Sequence, residues 1–300
     1  MRVTKKSLIA ALAACLVIAV AFAIYQHLYP SPAPAPSVPV AATSTPSAWP
    51  SSQVIGTSVQ GRAITAYTYG TGPTKLLFVG GMHGGYEWNA VLLAYQFMDY
   101  LQANPTAVPA NISVTVVPDL NPDGVFAYIG KEGRFTVDDV PAGSDTVGIG
   151  RKNADDVDLN RNFGCHWAAT STWQNKSESA GTAAFSEPEA QAMRDLAVKL
   201  QPAAVVFWHS ASGTVYASEC DNGVLPGTTA VMNAYAKAAG YQTSAVFDAY
   251  PITGDSEGWL ASIGIPAVTV ELTTHTAVEW DKNLAGIQAL FKLYSAPPVS

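Results

Sequence analysis

Four groups of polar residues stand where apolar runs end. His83 and Glu87 share the Gly-rich stretch Gly81-Met82-His83-Gly84-Gly85-Tyr86-Glu87. Glycines let the backbone bend tightly, so an imidazole nitrogen and a carboxylate oxygen can converge there as part of a zinc shell. Taken alone, a His-x-x-x-Glu spacing fits a surface loop equally well. His209 directly follows the apolar run Ala203–Trp208. It is either a hydrogen-bonded histidine at the edge of the core or a third metal ligand from a distant strand. Two ligands close in sequence and one far away, with water in the fourth position, is the common layout of a catalytic zinc site. Glu271 ends the run Ala267–Val270. A carboxylate there is costly unless a metal or a cation uses it, and as a general base it could take a proton from a metal-bound water. The stretch Arg151–Phe163 collects two arginines, Arg151 and Arg161, with several amides. Guanidinium forks grip carboxylates bidentately. The alternative is a solvated loop with internal Asp–Arg pairs.

The elements that must position these groups alternate between strand and helix. Val54–Val59 and Ala63–Tyr69 read as a hairpin, and Lys75–Gly80, Ser113–Val117, Ala203–Trp208, Thr243–Phe247 and Ala267–Leu272 as further strands. Helical spacing marks 90–101, 187–200 (opened by Ser186 as cap and Pro188 in the first turn), 228–239, 256–263 and 278–293. Asp119–Gly124 copies the start of a calcium loop, but its twelfth position is Gly130, so it reads as a turn. The alternation predicts a three-layer α/β/α domain with a mixed, mostly parallel central sheet over residues 52–296. In such sheets ligands bind at the carboxyl ends of the strands, where the polar groups gather.

In this order, His83…Glu87, Asn121-Pro122-Asp123-Gly124, Asp158-Leu159-Asn160-Arg161-Asn162-Phe163, His209-Ser210 and Glu271 resemble the zinc metallocarboxypeptidases of the carboxypeptidase A type. The resemblance covers about residues 53–294. It implies one Zn2+ held by His83, Glu87 and His209, with Glu271 activating a zinc-bound water. Arg151 would polarise the scissile carbonyl and hold the oxyanion, and Asn160 and Arg161 would clamp the substrate's terminal carboxylate. Tyr250 matches the family's mobile tyrosine. Glu257 falls near its side-chain selectivity position, where a carboxylate would favour a basic terminal residue; the alternative is an exposed Glu at a helix start. The chain departs from the family's His-x-x-Glu by one residue, which a bulge in the Gly-Gly loop would absorb. No pro-segment is expected ahead of the domain.

Composition narrows the partners. Of 16 basic residues, Arg2, Lys5 and Lys6 lie in the first fifty, which hold no acid, so 13 bases face 23 acids beyond and that part carries about -10. Nucleic acid binding needs a basic stripe and is not expected. The basic flank and the uncharged run Leu8–Tyr25 read as a membrane anchor or a cleaved signal peptide within residues 1–29. The Pro-rich stretch 30–51 reads as a linker. An extracytoplasmic domain, secreted or anchored to the membrane, follows, and a monomer is expected. In an oxidising compartment Cys165 and Cys220 pair or stay as two buried thiols, and pairing is the preferred reading.

The expected substrate is a peptide with a free C-terminal carboxylate. Three other readings compete. A peptidoglycan stem-peptide amidase or peptidase would use the same chemistry. Gly254-Asp255-Ser256-Glu257-Gly258 matches the Gly-x-Ser-x-Gly of serine hydrolases, with Glu271 and His275 downstream, although no long strand precedes it. A peptide-binding domain without catalysis is the last.

Overall fold

The computed structural model describes His27 and residues 50–143 and 148–295. The predicted export segment and most of the linker lie outside them. The chain divides into two units, Met1–Thr45 and Pro46–Ser300, and the described elements belong to the second. Its strands are β1 (Ser51–Thr57), β2 (Ala63–Tyr69), β3 (Thr74–Val79), β4 (Ile112–Val117), β5 (Thr170–Trp173), β6 (Lys176–Ser179), β7 (Ala204–Ser210), β8 (Thr214–Ala217), β9 (Gln242–Ser244) and β10 (Ala267–Leu272). Its helices are α1 (Trp88–Ala103), α2 (Pro122–Ile129), α3 (Pro188–Leu200), α4 (Pro226–Ala239), α5 (Ser256–Ser262) and α6 (Trp280–Ser295).

Eight strands form one mixed sheet in the order β1-β2-β4-β3-β7-β10-β8-β9, and β5 and β6 pair separately. β3 lies parallel to β4 and β7, β7 to β10 and β8 to β9; the other three pairings are antiparallel. Every residue of β4 and β7 is buried, as are the last four of β3, which explains the apolar runs Leu76–Val79 and Ala204–Trp208; β4 interrupts its run with Ser113 and Thr115. Such strands are covered on both faces. Side chains alternate across each strand, so Phe78, Val206, Trp208 and Val270 face α1, α4 and α6, while Leu77, Val205, Phe207 and Ala267 face α3 and α5. The result is the expected three-layer α/β/α stack. Among the described residues no helix is long and apolar enough to cross a membrane.

Several local expectations change. The predicted cap of α3 is not Ser186: Glu187 occupies the N-cap position without a side-chain bond, and Pro188 opens the first turn. The hydroxyl of Ser186 instead donates to Glu187 Oε1 at 2.7 Å. Asn121-Pro122-Asp123-Gly124 is not a free turn but the start of α2, where Asn121 Oδ1 accepts from Gly124 N at 2.9 Å. Gly130 ends that helix in the left-handed conformation. The strand expected over Thr243–Phe247 stops at Ser244, and Phe247 packs edge-on against Tyr250 in a loop. His209 and Ser210 lie inside β7 rather than beyond it.

The chain steps from β3 out to β4 on one side and returns to β7 on the other. Strand order reverses there, and the crevice at the carboxyl ends of β3 and β7 is the place where α/β sheets bind ligands.

Candidate metal centre and substrate cavity

The loop leaving β3 delivers His83 and Glu87 to that crevice. Gly81 has φ +70°, and a Cβ on it would meet Asp119 Oδ1 at 2.7 Å. Gly84 has φ +42°, and a Cβ there would meet the carbonyl of Gly150 at 2.7 Å. Only glycine permits this combination of conformation and close approach. The Gly-Gly loop of His83-x-x-x-Glu87, where a bulge was expected, forms a 3-10 turn over Gly84–Glu87. The turn hands Glu87 to the N-terminus of α1.

β7 supplies His209 from the other wall. His83 Nδ1 lies 2.8 Å from Glu87 Oε1, and His209 Nδ1 lies 2.9 Å from Glu87 Oε2 and 3.1 Å from His83 Nδ1. One donor atom from each residue falls within 4.8 Å of the others, and all three side chains are buried. Two imidazole nitrogens and a carboxylate directed at one point, away from water, demand a positive charge there. With no cation counted, burial would lower the pKa of His209, but Glu87 outweighs it and pushes it up to about 9. Burial would raise Glu87, yet the two imidazoles hold its carboxyl well below the usual range. The three residues form an N/O donor set that could hold a divalent ion. The set fits zinc, which takes neutral imidazoles and carboxylates.

Asp158 stands behind His83, its Oδ1 3.3 Å from Nε2. Arg151 Nη2 donates to Asp158 Oδ2 at 2.8 Å, and Nη1 lies 3.7 Å from Glu87 Oε1. Burial alone would raise Asp158, but Arg151, Arg161 and His83 hold it far below the ordinary value. The Arg151–Phe163 stretch has the internal Asp–Arg pair of a loop, Arg151–Asp158, and is exposed at 154–156, but Arg151, Asp158, Asn160, Arg161 and Asn162 are all buried.

Glu271 pairs in register with His209 across the parallel β7–β10 ladder, so both project from one face at the strand ends. Its Oε2 is buried without a hydrogen-bond partner, and burial with the Glu87 charge pushes its pKa up to about 8. A basic, unsolvated carboxylate beside a cation site suits proton transfer.

A cavity of about 540 Å³ joins these groups. Arg151, Asn160, Arg161, Tyr250 and Glu257 line it together with the cluster and Glu271. Arg161 donates to the carbonyls of Asn160 (2.6 Å) and Thr172 (3.1 and 3.4 Å), which leaves two of its five N–H groups. Asn160 Oδ1 accepts from Ser256 N at 2.9 Å. Tyr250 is half-buried against Phe247. Glu257 is not an exposed helix-start residue: it is buried, with Oε1 accepting from Thr269 Oγ1 at 2.7 Å. Cys165 and Cys220 form a disulfide in the cavity wall.

Sequence reading gave Asp158 and Thr269 no role of their own. The β-strand period could have revealed Thr269, two residues before Glu271 on the same face. The β5–β6 hairpin was also missed; it supplies the Thr172 carbonyl and places Trp173 under the Arg151 guanidinium at 4.5 Å. The serine hydrolase reading fails on geometry. Ser256 is fully buried at the first turn of α5, bonded to Asn160 and Glu257, while His275 sits 3.0 Å from Ser210 Oγ.

Comparison with known proteins agrees with this architecture. The family model for zinc carboxypeptidases matches residues 42–287. Bovine thrombin-activatable fibrinolysis inhibitor, in complex with tick carboxypeptidase inhibitor, superposes with a TM-score of 0.62 at 19% identity over 81% of this chain and 88% of that one. Carboxypeptidase A of Helicoverpa armigera gives 0.60 at 20% identity, over 82% and 70%. The murein-tripeptide amidase MpaA of Escherichia coli O157 gives 0.58 at 21% identity, over 84% and 94%. At these identities the structural likeness speaks for the fold.

Proposed function

The chain belongs to the zinc carboxypeptidase family, and from that premise we propose that it is an exported zinc metallocarboxypeptidase that hydrolyses the C-terminal peptide bond of peptides. The convergence of His83, Glu87 and His209 beneath Glu271 in one cavity carries this reading. His83, Glu87 and His209 would hold the ion. Zinc, when bound, supplies Lewis acidity toward the scissile carbonyl and a lowered pKa for water.

The chain's own residues do the rest. The two remaining N–H groups of Arg161, with the Asn160 amide, receive the terminal carboxylate and set the register of the bond to be cut. Arg151, fixed by Asp158 and Trp173, directs its guanidinium at the carbonyl oxygen and stabilises the charge that develops there. A Glu271 oxygen takes a proton from the attacking water and delivers it to the departing amine nitrogen. Tyr250 closes the cavity from the loop side and sheds water. Glu257, on the cavity floor, favours a Lys or Arg at the terminal position. The N-terminal run exports the domain as a secreted or anchored monomer.

A second reading keeps this chemistry but takes peptidoglycan stem peptides. It is favoured by Asp255 beside Glu257 on the cavity floor, two carboxylates that suit the side-chain ammonium of a diamino acid. The test is amino-acid release from a panel: peptides ending in Lys, Arg and Phe, their C-terminal amides, and muropeptides, each with and without chelator. Chelator-sensitive release from free-ended peptides, fastest for Lys and Arg in kcat/KM, is expected. Equal cleavage of amides removes the Arg161 clamp, and release from muropeptides alone selects the second reading.

A further inference from the structure

Both imidazoles of the cluster turn Nδ1 inward, and each has a carboxylate behind its outer nitrogen. Behind His83 that carboxylate is Asp158. Behind His209 it is Glu257, whose Oε1 stands 3.7 Å from Nε2. His209 Nε2 is buried and has no hydrogen-bond partner. A histidine that ligates through Nδ1 keeps its proton on Nε2, and ligating histidines almost always donate that proton to a carboxylate, a carbonyl or water. N–H···O bonds run roughly 2.7–3.2 Å, so the ring has about 0.5–1 Å to travel.

Glu257 is held ready for this contact. Thr269 Oγ1 donates to Oε1 at 2.7 Å, and Ser256 Oγ donates to Oε2 at 2.8 Å. α5 itself is fixed by Asp255, which accepts from Gly258 N at 2.7 Å. Two carboxylate oxygens offer about four acceptor positions, so two hydroxyl bonds leave room for about two more N–H donors. No basic side chain pairs with Glu257 among the described ion pairs other than His209.

We propose that Glu257 is a positioning residue for the metal ligand His209, fixing its tautomer and ring orientation through Nε2–H, from a place like the one Asp158 takes 3.3 Å behind His83 Nε2. The inference rests on the metal reading given above, and it assigns Glu257 a second task beside substrate selection. A cationic side chain bound on the cavity floor shares its carboxylate with the metal ligand, so substrate identity is felt at the ion.

The test is zinc affinity, measured on the full chain by competition with a chromophoric chelator. Thermal unfolding of the metal-free protein controls for folding. Glu257→Gln keeps the shape and removes the charge; zinc should bind about 10–100-fold more weakly, with the metal-free midpoint little changed. The visible absorption of the Co2+-loaded protein should shift in the same variant, and Glu257→Asp should recover part of the affinity. Glu257→Gln with wild-type zinc affinity and an unshifted cobalt spectrum overturns the proposal, even if Lys and Arg preference is lost. If that variant fails to fold, Thr269→Val replaces it: weaker zinc binding is expected, and unchanged affinity refutes the idea. A wild-type chain that takes up no zinc would overturn the metal reading and this inference together.

Discussion

Asp119 offers a test of how dry the wall behind the metal loop is. It follows β4 and packs under the Gly81 turn, with Leu120 N donating to Gly80 O and Asn121 N to Gly81 O. Its Oδ1 has no hydrogen-bond partner, and burial pushes its pKa from 3.8 up to about 8. The folded protein then keeps a proton that the unfolded chain has released. Stability from this group is complete below about pH 4, falls as pH rises, and levels off above about pH 8. Each pKa unit is worth 1.36 kcal/mol, so roughly three units between pH 4 and pH 7 set a ceiling of about 4 kcal/mol. Asp119→Asn removes the ionisation and keeps the shape. The stability difference, variant minus wild type, should therefore rise with pH by about 2–4 kcal/mol between pH 4.5 and pH 7.5. Urea titrations with chelator present, at four pH values, measure it, and the difference cancels the titration of all other groups. A difference flat to within about 0.5 kcal/mol would mean that Asp119 ionises as in water and that the desolvation argument is wrong.

Two further outcomes follow from the site. Glu271→Gln should retain zinc while losing about 10²–10⁴-fold in kcat; single-turnover hydrolysis with metal analysis checks both, and a fully active variant removes the assigned base. The Cys165–Cys220 bridge spans a sequence separation of 55, so chain entropy alone gives it about 4 kcal/mol. The double alanine variant should lose up to that amount in urea unfolding, and KM should rise more than kcat falls because both cysteines wall the cavity.

What the sequence carried, and what it hid, follows from the range over which each signal acts. Central strands announce themselves because residues buried on both faces leave apolar, β-branched runs, unbroken in β3 and β7 and interrupted by Ser or Thr in β4 and β10, and all four were readable for that reason. His209 and Glu271 stood out because they lie at strand ends, where an apolar run stops on a polar side chain, and His83 and Glu87 because they follow β3 in a Gly-rich turn. The short β5–β6 hairpin has no such run. Its sequence Thr170–Trp173 is stabilised by the partners it finds, the buried side chains of Arg151 and Arg161, and those partners are invisible to local pattern. The same holds for Glu257. At a helix start its default is solvent, and only the fold places Thr269, Ser256 and His209 around it. Local pattern thus supplies the candidate ligating groups, because their type and place are tied to the ends of strands and the turns that leave them. The groups that hold them, Asp158 behind one imidazole and Glu257 behind the other, come from segments whose meeting depends on the sheet having formed. Tertiary burial decides their ionisation, and burial is a property no stretch of residues carries alone.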